Sequence, residues 1–207
     1  MKKLLATVLL FSLLVSLLGC GKASDEELIS AAKPLIVKAQ VLDELFSIKG
    51  IPTLEGKPTD TYLRADASEL AAYGFSSYSQ IRAYAASFYT EAMLAQFENT
   101  FVNSLSSNNG ILRVTYCYDE KDQKGNFIAL WVSAEGVNYK TDAVTYDFST
   151  LKVEKKLRDA ATLTLDATVT NENGESRVHK KTIRLVRELG EWRLDSNTAI
   201  SFGTAKP

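Results

Sequence analysis

The stretch from Ala161 to Asp195, ATLTLDATVTNENGESRVHKKTIRLVRELGEWRLD, constrains this chain more than any other. Leu163, Leu165, Ala167 and Val169 alternate with Thr162, Thr164, Asp166, Thr168 and Thr170. A period of two puts one face on a core and the other in water, so the segment predicts a long strand. Asn173-Gly174 tolerates positive φ, as a tight hairpin requires. Ile183 and Leu185 then alternate with Thr182 and Arg184, and Leu189-Gly190 turns the chain again. In the last strand Trp192 and Leu194 are expected inward, with Glu191, Arg193 and Asp195 outward. A half-wet meander needs a cover for its apolar face, and the N-terminal half supplies helical patterns to provide it. The fold class expected is therefore α+β, with N-terminal helices packed on a curved antiparallel sheet.

Ser24-Asp25-Glu26-Glu27 forms a capping-box pattern, and Leu28, Ala32, Leu35, Ala39, Leu42 and Phe46 follow at helical spacing. Pro34 is expected to kink or restart that helix, and Gly50 to close it. Ser77 and Thr90 look like two further N-caps, with a break near Tyr89. The second of these helices carries Met93, Leu94, Phe97 and Phe101, and Asn108-Asn109-Gly110 ends the helical half. Residues 51–76 read as one long connection holding Pro52, Gly56, Pro58 and Gly74. Connections of that length often carry function. Tyr62 and Tyr73, with Tyr78 just beyond, are its candidate partner-binding residues, because tyrosine offers area and a hydroxyl at low entropic cost. The same rings also suit pinning the segment to the core.

Leu112, Val114, Tyr116 and Tyr118 alternate along a first strand, and a polar turn from Asp119 to Asn126 follows. The nearly continuous apolar run from Phe127 to Ser133 predicts a central strand covered on both faces. Val144, Tyr146 and Phe148 alternate next, with Leu151 to Val153 as an extension. A concave sheet of this kind offers, as an alternative role, a small-molecule-binding or enzymatic pocket lined by Tyr116, Trp131 and Tyr146.

The 207 residues carry 24 basic and 25 acidic side chains, a net charge of -1, with no basic concentration of the kind nucleic acid demands. Asp119, Glu120 and Asp122 lack the regular ligand spacing of a calcium loop and read as a solvated hairpin tip. The single histidine, His179, builds no multi-histidine metal site, and no metal or cofactor is expected. Cys117 lies in an apolar run and reads as a buried thiol. Asp147 and Asp166 alternate outward, where carboxylates rarely gain the shifted pKa of a general acid or base. Phosphate-cradling loops, nucleophile elbows and dinucleotide fingerprints are missing from the sequence, so a non-catalytic role is expected.

The N-terminus, MKKLLATVLLFSLLVSLLGC, joins two lysines to an apolar run that stops at a cysteine. That pattern is an export signal. Leu17-Leu18-Gly19-Cys20 resembles the lipobox of bacterial lipoproteins, which implies removal of residues 1–19 and lipidation of Cys20. Residues 20–24 would then be a short tether of at most about 14 Å, residues 25–200 one domain, and 201–207 a tail. The location implied is the outer face of a bacterial cell membrane.

Helices followed by a meander ending in Gly-x-Trp-x-Leu-Asp are similar in order to cystatin-like and nuclear transport factor 2-like folds. LIVKAQVLDELFSIKG, Tyr62, GFSSYSQIRAYAASFYTEAM and NNGILRVTY together resemble the D,L-endopeptidase inhibitor family of Gram-positive cell-wall proteins. Tyr84, Phe88, Tyr89 and Thr90 match that family's helix ending loosely, and Asn109-Gly110 its strand opening. Ile111-Leu112 and the lipid anchor depart from the family pattern. The resemblance implies a protein that binds a cell-wall cysteine hydrolase and blocks its groove.

Overall fold

The computed structural model describes residues 22–56, 61–99, 105–106, 113–114, 117–134 and 143–198. The leader with Cys20, Phe101, the Asn108-Asn109-Gly110 segment, Tyr116 and the tail lie outside the described residues. The chain is α+β, with helices and antiparallel strands sharing a buried cluster that runs from Ala23 to Leu194.

Helix α1 spans Asp25–Asp43. Ser24 Oγ accepts from Glu27 N at 3.0 Å, as the cap pattern predicts. The Glu27 carboxylate instead accepts from Trp192 Nε1 at 3.3 Å, tying the helix start to the far end of the chain. The buried stripe is Leu28, Ala32, Ile36, Ala39, Leu42 and Asp43. Ile36 thus takes the core position expected of Leu35, which is half-buried. Pro34 neither ends nor restarts the helix. It lies on the exposed side, where the carbonyl of Ser30 that loses its partner faces water. A widened π turn over Glu44–Ile48 follows, and Gly50 closes it at φ 85° with its N–H on Glu44 O.

The expected long connection is largely structured. Strand β1, Tyr62–Arg64, and helix α2, Ala67–Ala72, lie within it. Asp66 caps α2, its Oδ1 accepting from Ser68 N and Glu69 N. Helix α3, Tyr78–Ala86, is capped by Ser77, and α4, Glu91–Phe97, by Thr90. The elbow between them, at Ser87–Thr90, is where helices and sheet join. Leu194 N donates to Phe88 O at 2.8 Å, and Thr90 N to Leu194 O at 2.9 Å. Thr90 Oγ1 accepts from Met93 N and donates to Asp195 Oδ1 at 2.7 Å.

The strands divide into separate sheets among the described residues, where a single curved sheet was expected. Short strands β2, Leu105–Ser106, and β3, Arg113–Val114, pair with each other. Strands β4, Cys117–Lys121, and β5, Phe127–Ser133, form with β1 a sheet in the order β1-β5-β4. The meander β6-β7-β8-β9 comprises Ala143–Lys156, Ala160–Thr170, Ser176–Glu188 and Glu191–Leu194. Leu163, Leu165, Ala167, Val169, Ile183, Leu185 and Leu194 are all buried, as their alternation predicts. Helix α1 lies on this face against β6 and β9. Lys156 and Asp25 fasten its start at 2.6 Å.

Both turns of the meander differ in detail from the sequence reading. In the 171–175 turn only Gly174 has positive φ, and Asn171 Oδ1 organises the loop by accepting from Asn173 N and Glu175 N. In the next turn Leu189 and Gly190 both have positive φ, at 51° and 88°. Arg193 and Asp195, expected outward, are covered by the elbow: Arg193 Nη1 donates to Ala86 O at 2.7 Å, and Asp195 also pairs with Arg184 at 3.1 Å. Strand β5 is central, yet Phe127 and Ile128 at its start are exposed, so only its later residues are covered.

Candidate functional site

Strict alternation along β4 and β5 generates the first candidate surface. Cys117 and Val132 pair across the sheet and face the core, so their neighbours Tyr118 and Trp131 face away from it. Tyr118 is therefore outward and 40% exposed. On the next strand Arg64 is the partner of Trp131 and Tyr62 that of Ser133. One face thus carries Tyr62, Arg64, Tyr118 and Trp131. The Tyr62 and Tyr118 rings meet edge to face at 5.1 Å, a favourable arrangement for aromatic quadrupoles. Trp131 Nε1 donates to Glu120 Oε2 at 2.7 Å, which fixes the indole plane. Glu120 is thereby explained, as are its neighbouring acids. Asp119 caps α3 by accepting from Tyr78 N at 2.6 Å and Ser79 N at 2.9 Å, and Asp122 organises the hairpin turn through Lys124 N and Asn126 N. Among the described residues no group of His, Cys, Asp or Glu is arranged to hold a metal ion.

The other two tyrosines of the predicted contact set are turned toward the fold. Tyr73 donates to Glu44 Oε2 at 3.3 Å, and Tyr78 to Glu98 Oε1 at 3.0 Å. Burial, then Glu98, pushes the Tyr78 phenol up. Both rings are half-buried against the core cluster. Of Tyr62, Tyr73 and Tyr78, only Tyr62 therefore stands in the aromatic face. Of the pocket expected from Tyr116, Trp131 and Tyr146, Trp131 and Tyr146 stand on different sheets, and Tyr116 lies outside the described residues.

Tyr146 instead borders a cavity of about 100 Å³ below the C-terminal end of α1, together with Gln40, Asp43, Glu44, Lys49 and Val144. Asp43 is 7% exposed, and its Oδ2 accepts from Thr198 Oγ1 at 2.6 Å. Tyr146 donates to Thr198 O at 2.6 Å. Burial lifts the Asp43 carboxyl from its ordinary value to about 7, while the Thr198 hydroxyl and the Lys181 charge pull the other way. Burial and the Asp43 charge together push the Tyr146 and Tyr89 phenols up. Buried Cys117 is a free thiol pushed up by burial and Asp119, which leaves it inert as the sequence suggested.

Sequence reasoning missed Asp43, although a signal was present. Leu28, Ala32, Ile36, Ala39 and Asp43 follow one helical face, so a carboxylate occupies a core position. A related inversion marks β8, where Val178 is 68% exposed while His179 and Lys181 take the half-buried side. Neither protein-family models nor curated proteins give a match to this chain. No described helix is long and apolar enough to cross a membrane.

Proposed function

We propose that this chain is a membrane-anchored extracytoplasmic lipoprotein whose body is a non-catalytic binding module, held by a lipid on Cys20, with a peptidoglycan D,L-endopeptidase as the partner it inhibits. The observation that carries the binding role is the aromatic face of the β1-β5-β4 sheet. Tyr62, Tyr118 and Trp131 lie side by side there, with Arg64 and Glu120 among them. Tyrosine, tryptophan and arginine are the residues that dominate binding energy at protein interfaces. The partner follows from the resemblance of residues 35–118 to the inhibitor family. The order of α1 followed by the four-stranded meander supports a cystatin-like or nuclear transport factor 2-like fold.

The body also starts early enough to hold that face close to a bilayer. Ala23 is already buried and Ser24 already caps α1, three and four residues after Cys20 in the sequence. Cys20→Ala is expected to move the protein from the membrane fraction to the soluble fraction, read by fractionation and immunoblot. A variant that stays membrane-bound would remove the anchor from the proposal.

The inhibitory role is tested with purified full-length protein and a D,L-endopeptidase acting on cell-wall peptide. Inhibition is expected, and Tyr62→Ala together with Tyr118→Ala should weaken it about tenfold or more while the melting transition stays cooperative. A hydrolase left fully active at large excess of this protein would rule out the assigned partner.

A further inference from the structure

We propose that the cavity beside Asp43 binds a small aliphatic ammonium ligand, gripped by the Asp43 carboxylate, the Glu44 carboxylate and the Gln40 amide oxygen. The inference is independent of the lipid anchor and of the aromatic face. It rests on which polar atoms at the cavity are already used. Thr198 takes Asp43 Oδ2, and no donor among the described residues reaches Oδ1. Lys49 Nζ and the Tyr73 hydroxyl both go to Glu44 Oε2, at 2.9 and 3.3 Å, leaving Oε1 without a donor among those residues. The Tyr146 hydroxyl is committed to Thr198 O, so it offers a ring wall and no competing donor. Asp43 Oδ1, Glu44 Oε1 and the Gln40 amide oxygen are thus acceptors left open among the described lining residues, while Lys49, the one cation among those residues, is already paired with Glu44. An ammonium group, with three donors and one positive charge, is the complementary head.

The rest of the lining suits a short alkyl chain. Ile48, Ala143 and Val144 supply the apolar wall. A volume of about 100 Å³ equals about three waters' share of liquid, or an alkylamine of about five non-hydrogen atoms. Lys181 on β8 pulls the Asp43 pKa down, yet burial outweighs that pull. A ligand cation arriving at Oδ1 supplies the missing compensation and displaces the proton that Asp43 otherwise keeps below about pH 7.

A definite pH dependence follows. The groups facing Asp43 are Tyr146 from β6, Lys181 from β8, Tyr89 from the elbow, and Glu44 and Lys49 from the turn after α1. Arg177 and His179 lie farther along the inner face of β8, opposite Val169 and Ala167. An alkylamine stays protonated across neutrality, so affinity should rise about tenfold per pH unit between about 5 and 7 and then level off.

The test is calorimetric titration of the detergent-solubilised full-length protein with n-butylammonium chloride, with n-butanol and sodium acetate as controls. A dissociation constant on the order of 1 mM near neutral pH is expected, as suits so small a ligand. Asp43→Asn keeps an acceptor for Thr198 and should weaken binding about tenfold or more. Val144→Phe fills the cavity without changing charge and should abolish binding. The pH series repeated on His179→Gln should be unchanged, since the proton released belongs to Asp43. Equal binding of butanol or acetate, full affinity in Asp43→Asn, or no binding at about 20 mM ligand would overturn the assignment.

Discussion

Replacing Phe88 by alanine is expected to cost about 3–5 kcal/mol of unfolding free energy, seen as a lower denaturant midpoint at unchanged slope. Phe88 is fully buried, and its ring lies 4.4 Å from that of Tyr89 and 5.4 Å from that of Tyr84. Its carbonyl also receives Leu194 N, so the residue stands where helix ending and last strand are joined. Removing the ring empties a volume bounded by rigid neighbours on several elements, which limits collapse into the space. Phe148, by contrast, is only partly buried at the margin of the same core, and its truncation should cost clearly less. Equal losses at the two positions would mean that the elbow is not the centre of the packing.

The stability of the protein is expected to fall as pH rises from about 4 to about 7, and Asp43→Asn should flatten that decline. Folding raises the Asp43 carboxyl from 3.8 to about 7 because burial disfavours its charge. Between those values the folded chain keeps a proton that the unfolded chain has released. The contribution is thus complete below the unfolded pKa and lost as pH climbs through the folded one. A slope of about 1.4 kcal/mol per unit gives a loss on the order of 4 kcal/mol across the window. Asp66, Asp122, Asp147 and Glu154 act with the opposite sign, since hydrogen bonds hold their carboxyls below the ordinary range. Their contributions are lost only toward more acidic pH, which keeps the two effects apart. Urea midpoints at several pH values, for the parent and Asp43→Asn, decide the matter. Parallel curves would show that Asp43 is not the group responsible.

What the sequence made legible was local. Ser24, Ser77 and Thr90 each cap a helix as their spacing indicates, because a cap is a contact over three residues. Residues 160–170 and 176–188 form the long strands that their alternation demands. The features that escaped depend on distant partners. Strand β1 is three residues long and exists through its pairing with β5, so nothing within 51–76 announces it. Asp119 looks like a hairpin acid until α3 is placed over it. The run from Phe127 to Ser133 is apolar throughout, and continuous hydrophobicity hides which side faces out. That ambiguity concealed that Trp131 shares a face with Tyr62, two residues the sequence had assigned to different roles. Asp43 was visible as a break in a helical stripe, but only its surroundings turn that irregularity into a cavity wall.

The backbone link between Leu194 and the elbow has a colloidal consequence. A bordering strand normally offers free amides and carbonyls to any passing extended peptide. At Leu194 those groups are already engaged by Phe88 and Thr90, and the parallel bridge from Tyr89 occupies the same site. A helical corner thus acts as a stopper on that rim of the meander, denying a second molecule the template it would need to stack there and start a fibril.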